Sequence, residues 1–150
     1  MVVVKQYHPP AVEDRRGLTL TLQRLAGFPL ITYEPGYTGR RHIDQAFVDQ
    51  HLVADVVLSA MDADVIKTYV ELGLGVGLIA SIAYDAARDL GLHAIDVRHL
   101  FAINVTRLAV RRGSYLRDFD YGFIRTFAPT LTREVVDAAL ASARGATLPP

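Results

Sequence analysis

Six consecutive residues, Pro35, Gly36, Tyr37, Thr38, Gly39 and Arg40, form the pattern in this sequence best suited to chemistry. They join an apolar, strand-like run from Leu30 to Tyr33 to a segment with Ile43, Ala46 and Phe47 on one helical face. A helix start leaves amide donors without carbonyl partners, and those donors together with the helix dipole attract anions. Gly36 and Gly39 let a ligand approach the backbone, Tyr37 lies between them, and Thr38 adds a hydroxyl. The residue three positions after Thr38 is Arg41, so no capping-box carboxylate competes for the same donors. Two readings stand together: Gly36, Tyr37, Thr38 and Gly39 form an oxyanion cradle, or Thr38 caps its own helix.

The other polar patterns offer less. Asp62, Ala63 and Asp64 open a second helical segment, where acids suit the dipole and repel an anionic ligand. Gly73, Gly75 and Gly77 have the look of a dinucleotide fingerprint, but they follow a helix and enter a strand, the reverse of what that motif needs. They read as a helix stop and a closely packed core strand. The five histidines lack metal-binding spacing, and with no cysteine in the chain, thiolate metal sites, disulfides and cysteine nucleophiles are excluded. The serines lack a G-x-S-x-G elbow, there is no P-loop, and Asp118 and Asp120 face different ways on a helix. No catalytic constellation, metal or cofactor is therefore expected.

Elements that must position the turn can be read from periodicity. The 150 residues carry sixteen basic and sixteen acidic side chains. Such a chain suits one globular domain and lacks the concentrated positive charge that duplex DNA demands. No stretch is apolar enough for a signal peptide or membrane span, which implies a cytoplasmic protein. Val2 to Val4 read as a short strand, followed by a loop through Pro9 and Pro10 to Gly17. Leu20 to Ala26 is a brief helix capped by Thr21, and Leu30 to Tyr33 a buried strand. Asp55 to Ala60 is a strand, Asp62 caps a helix ending at Gly73, and Leu74 to Ala80 is a third strand. A helical piece over Ile82 to Arg88 follows, then strands at Leu92 to Val97 and Thr106 to Val110. Leu116, Phe119, Phe123 and Phe127 make a helical stripe ended by Pro129. Thr130 caps a last helix with Leu131, Val135 and Ala139 on one face. The alternation predicts an α/β fold on a mostly parallel sheet.

Three motifs carry a resemblance covering about Leu18 to Ala138. They are Tyr37-Thr38-Gly39-Arg40, the run Asp62-Ala63-Asp64-Val65-Ile66-Lys67-Thr68-Tyr69-Val70 with Leu72-Gly73-Leu74-Gly75-Val76-Gly77, and Phe127-Ala128-Pro129 before Leu131-Thr132-Arg133. In these the chain resembles the effector-binding region of LysR-type transcription regulators, in the branch that controls cysteine synthesis and sulfonate use. The resemblance implies a type 2 periplasmic-binding-protein-like α/β fold whose mixed or parallel sheet is flanked by helices. Residues 18–100 match subdomain two, and 105–140 match the segment returning to subdomain one with the C-terminal helix.

It also implies an effector, sulfate, thiosulfate or an acetylserine-like molecule, held in the cleft between subdomains, with Thr38 and its neighbour Gly39 contacting the oxyanion. DNA would be bound only through an N-terminal helix-turn-helix outside these residues, and the whole protein would be a homo-oligomer. The alternative with the same architecture is a solute-binding protein for a small oxyanion.

Overall fold

A computed structural model describes residues 1–103, 107–111 and 113–145, and the chain divides into two compact units, Met1–Asn104 and Val105–Pro150. The opening valines form β1 (Val2–Lys5). Val2 and Val4 point into one core and Val3 into the other, as the two-residue side-chain period of a strand requires. Where the proline pair predicts a loop as far as Gly17, Pro9–Arg15 is a helix, α1. Its prolines occupy the first turn, where no amide is needed and a fixed φ favours the helix, so this pair starts a helix instead of breaking one.

Thr21 caps α2 (Leu22–Leu25) by accepting from the Arg24 amide at 3.2 Å. β2 (Leu30–Tyr33), α3 (Thr38–Asp49), β3 (Val56–Ala60), α4 (Ala63–Glu71), β4 (Val76–Leu78) and β5 (Leu92–Ile95) complete the first unit's main elements. They build one five-stranded sheet in the order β3-β2-β4-β1-β5. β2 runs parallel to β3 and β4, whereas β1 is antiparallel to both β4 and β5. The sheet is thus mixed through one reversed strand, and residues 1–17 supply that strand and α1.

Helices cover both faces. α3 packs Ile43 and Phe47 into a core with Leu20, Leu22, Leu25 and Leu30. On the other face α4 brings Ile66 and Val70 against Val3, Ile31 and Leu92. Gly73 has φ +86 and ends α4 in the left-handed conformation that glycine takes freely. A β-carbon on Gly77 would lie 2.6 Å from Val3 Cγ2 and 2.8 Å from Val70 Cγ2. The glycines therefore serve close packing, as their position after a helix implies.

The helix expected over 82–88 is only a 3-10 turn, Ser81–Ala83. Acidic side chains then take the amides: Asp85 accepts from Ala87 N at 2.9 Å and Asp89 from Asp85 N at 2.9 Å.

The second unit holds α5 (Asp118–Phe127) and α6 (Arg133–Gly145). Of the strand expected at Thr106 to Val110, Thr106 lies outside the described residues, and 107–110 form no strand. Thr132, not Thr130, sits at the start of α6, its hydroxyl accepting from Val135 N at 3.4 Å. On α6 Val136 is buried, whereas Val135, on the face shared with Leu131 and Ala139, is 48% exposed. On α5 it is Ile124 that is buried, and Phe119, Phe123 and Phe127 are exposed. Four-residue spacing identifies a shared helix face and says nothing of what covers it.

Candidate functional site

The route of the chain through the sheet creates a switch point. From β2 the chain passes through α3 to β3 on one side, then through α4 across to β4 on the other side. In open α/β sheets, ligands settle outside the carboxyl ends of strands where the order reverses in this way. At this edge the turn after β2 leads directly into α3.

Gly36 has φ +104, which an L-residue adopts only with strain, and it turns the chain toward the helix. Tyr37 is the N-cap of α3, with extended φ −75 and ψ 139, and supplies no side-chain cap. Thr38 is therefore the first helical residue and exposed. The alternative in which its hydroxyl caps the helix fails because the cap position falls one residue earlier. Gly39 follows, where an added β-carbon would meet only Tyr33 Cδ2 at an ordinary 3.9 Å.

The first backbone bond of α3 runs from the Arg41 amide to the Tyr37 carbonyl at 3.2 Å. Among the described residues, no acceptor takes the amides of Thr38, Gly39 or Arg40. The first turn contains no acid and carries Arg40 and Arg41. Cations there oppose the usual preference, which favours negative charge at a helix N-terminus. α4, opening at the same sheet edge, follows that preference: Asp62 accepts from the Asp64 amide at 2.6 Å, and Asp64 lies in its first turn.

Tyr33 and Arg40 brace this corner, and neither role was read from the sequence. The Tyr33 hydroxyl accepts from the Ala80 amide at 3.1 Å, linking the ends of β2 and β4 across the switch point. Its ring stacks on Tyr37 at 6.1 Å between centroids. Arg40 Nη1 donates to the Tyr33 carbonyl at 2.9 Å and to Ser59 Oγ at 3.1 Å, while Nε donates to Asp44 at 2.7 Å. The one available sequence signal was a basic residue in a first helical turn; its acceptors depend on β2 and β3 being neighbours. Gly36, Tyr37, Thr38 and Gly39 thus come together as one turn and helix start, with Tyr33, Arg40 and Ser59 around them. This geometry offers hydrogen-bond donors and positive potential to a small oxyanion.

Known proteins resemble this arrangement over most of its length. A family model described as the LysR substrate binding domain matches residues 1–140. The chain is 49% identical over 142 residues to the HTH-type transcriptional regulator SsuR of Burkholderia cenocepacia, covering 95% of this chain and 45% of that protein. It is 52% identical over 121 residues to the regulator CysB of the same organism, covering 81% and 39% respectively. The chain therefore spans less than half the length of these curated relatives. The crystal structure of the cofactor-binding domain of the Cbl transcriptional regulator superposes with a TM-score of 0.78 at 40% identity, covering 93% of this chain and 59% of that one.

Proposed function

Because the chain belongs to the LysR substrate-binding domain family, we propose that it is the effector-sensing part of a sulfur-responsive transcription regulator. Its relatives are transcriptional regulators, and its own fold is the type 2 periplasmic-binding-protein-like α/β arrangement, a binding domain and not an enzyme. The effector in this proposal is sulfate, thiosulfate or an acetylserine-like molecule. It sits against Gly36, Tyr37, Thr38 and Gly39, with the oxyanion facing the amides at the start of α3. The observation that carries the proposal is the set of unaccepted Thr38, Gly39 and Arg40 amides in a first turn without acids, at the switch point of the sheet.

Residues 18–100 act as subdomain two, and 105–140 as the return segment of subdomain one. Effector binding shifts the equilibrium between subdomain arrangements and so alters DNA-binding heads carried elsewhere in a homo-oligomer, in the cytoplasm. Among the described residues, no helix is long and apolar enough to cross a membrane.

Titration of the chain with sodium sulfate, followed by amide chemical shifts against a sodium chloride control, tests the site. Saturable shifts centred on residues 36–41 are expected. Thr38→Ala removes one charge-assisted hydrogen bond of about 1.5–3 kcal/mol, so affinity should fall roughly 10- to 150-fold. Equal affinity in the variant would reject the assignment of Thr38.

A further inference from the structure

Arg40 is the most constrained charged side chain at the switch point. Its side chain is only 13% exposed, and three acceptors from three elements share its guanidinium: the Tyr33 carbonyl on β2, Ser59 Oγ on β3 and the Asp44 carboxylate on α3 itself. Asp44 lies one turn further along the helix and neutralises much of the charge. A residue placed there simply to attract anions would not be tied to a carboxylate at 2.7 Å. Asp44 orients the guanidinium from within α3, and the contacts to Tyr33 and Ser59 fix geometry, since the first turn of α3 cannot slide or tilt relative to the strand ends without breaking at least one of them.

We propose that Arg40 is the positioning residue of the effector site: its guanidinium pins the start of α3 to the ends of β2 and β3 and so aims the Thr38 and Gly39 amides at a bound oxyanion. The inference rests on the anion site proposed above. A site built from backbone donors loses affinity steeply when the element carrying them shifts by a fraction of an ångström, so rigid support matters as much as the donors. Lysine cannot replace arginine in this role. An ammonium keeps the charge but lacks the planar fork that lets Nε and Nη1 engage separate acceptors at fixed angles. Arg41, exposed in the same turn, carries equal charge without these contacts and serves as the internal control.

The test compares sulfate titrations of the parent chain, Arg40→Lys, Ser59→Ala and Arg41→Ala, read by amide shifts at several salt concentrations. Arg40→Lys should weaken sulfate binding about tenfold or more through lost hydrogen-bond geometry. Ser59→Ala, which removes one contact from an exposed residue, should weaken it about threefold. In both, the anion-free Thr38 and Gly39 amide resonances should move while those of α4 stay in place, and the salt dependence of binding should match the parent's. Arg41→Ala should instead flatten the salt dependence and leave those resonances unchanged.

Saturable binding in the parent with unchanged affinity and unmoved Thr38 and Gly39 resonances in Arg40→Lys and Ser59→Ala would overturn the positioning role alone. Absence of saturable sulfate shifts in the parent would overturn the anion site and this inference with it. If Arg40→Lys fails to fold, Ser59→Ala decides.

Discussion

Replacing Lys67 with methionine removes the ammonium that ties α4 to the segment behind β4, which forms one side of the switch-point edge. Lys67 Nζ donates to the Ala83 carbonyl at 3.0 Å and to both Asp89 oxygens at 3.0 and 3.1 Å, and pairs with Asp64 at 2.8 Å. The side chains of Lys67 and Asp89 are each only 12% exposed. Asp64 is 79% exposed, so its share is a few tenths of a kcal/mol.

The Asp89 contact is larger, because the variant leaves a largely buried carboxylate with the Asp85 amide as its remaining described hydrogen-bond partner and only the Arg88 charge to offset it. A charge-assisted bond of this kind contributes about 1.5–3 kcal/mol, and the Ala83 carbonyl adds about 1 kcal/mol. One ammonium makes all these contacts, so they do not add in full, and the expected loss is about 2–4 kcal/mol. Methionine retains most of the apolar stem packing. Urea unfolding at pH 7 should show a lower midpoint at unchanged slope.

pH supplies a second signature. Burial works to raise the Asp89 carboxyl, but the Asp85 amide and the Lys67 ammonium outweigh it and hold it below the ordinary value. Its contribution is therefore present above about pH 3.9 and lost as pH falls through the depressed folded value. The hydrogen bond to Asp64, opposed by burial and aided by Asp89, holds Lys67 above the ordinary lysine value. That contribution is present below about pH 10.4 and lost as pH rises through the folded value. The gap between parent and variant should be widest near neutrality and narrow at both extremes. A loss under 1 kcal/mol at pH 7, or a gap independent of pH, would refute the account.

Two further outcomes follow from packing and burial. Gly77→Ala drives a methyl group into Val3 and Val70, which lie 2.6 and 2.8 Å from where its β-carbon must sit. The cost should be about 1–3 kcal/mol by denaturant melting, and a neutral effect would contradict the packing of β4 between β1 and α4. His8 lies against Phe28 at 5.2 Å between ring centroids, with its Nδ1 buried and without a hydrogen-bond partner among the described residues. Burial, then Arg24, pushes its imidazole below the ordinary value against the pull of Glu13. Stability should therefore decline as pH falls below about 6.5 toward the folded value, and His8→Gln should remove that decline. An imidazole resonance titrating at or above 6.5 would show the opposite.

Most of the first unit was legible because its signals are local. Thr21 and Asp62 stand where caps belong, Gly73 ends α4, and the β-branched runs at Val2 and Leu30 alternate between the two cores. Where reading failed, one local rule competed with another. Pro9 and Pro10 signal a break in general and a helix start when they fall in its first turn. The stretch 82–88 reads as a helical piece, but Asp85 and Asp89 satisfy the backbone in another way. The turn at Gly36 and the start of α3 were legible as a stretch of chain because they are contiguous. Their brace was not, since Arg40 reaches Ser59 across 19 positions and Tyr33 reaches Ala80 across 47.

The two helix starts at one sheet edge differ in how their dipoles are served, and the proposed anion site rests on that difference. α4 opens with Asp62 and Asp64, which already supply negative charge to its dipole and occupy one of its amides. α3 carries Arg40 and Arg41 in its first turn, and the exposed Arg41 is unfavourable to the dipole by about 0.3–1 kcal/mol. Asp44 compensates Arg40, but nothing in the first turn compensates Arg41 or accepts from the amides of Thr38 and Gly39. The same folding rules are thus obeyed at one helix and violated at its neighbour, and a violation of this kind is characteristic of functional sites. An oxyanion at Thr38 would satisfy the donors, the dipole and the arginine charge together. The affinity of the site should therefore come chiefly from backbone order at the start of α3, with side-chain charge setting how strongly salt competes.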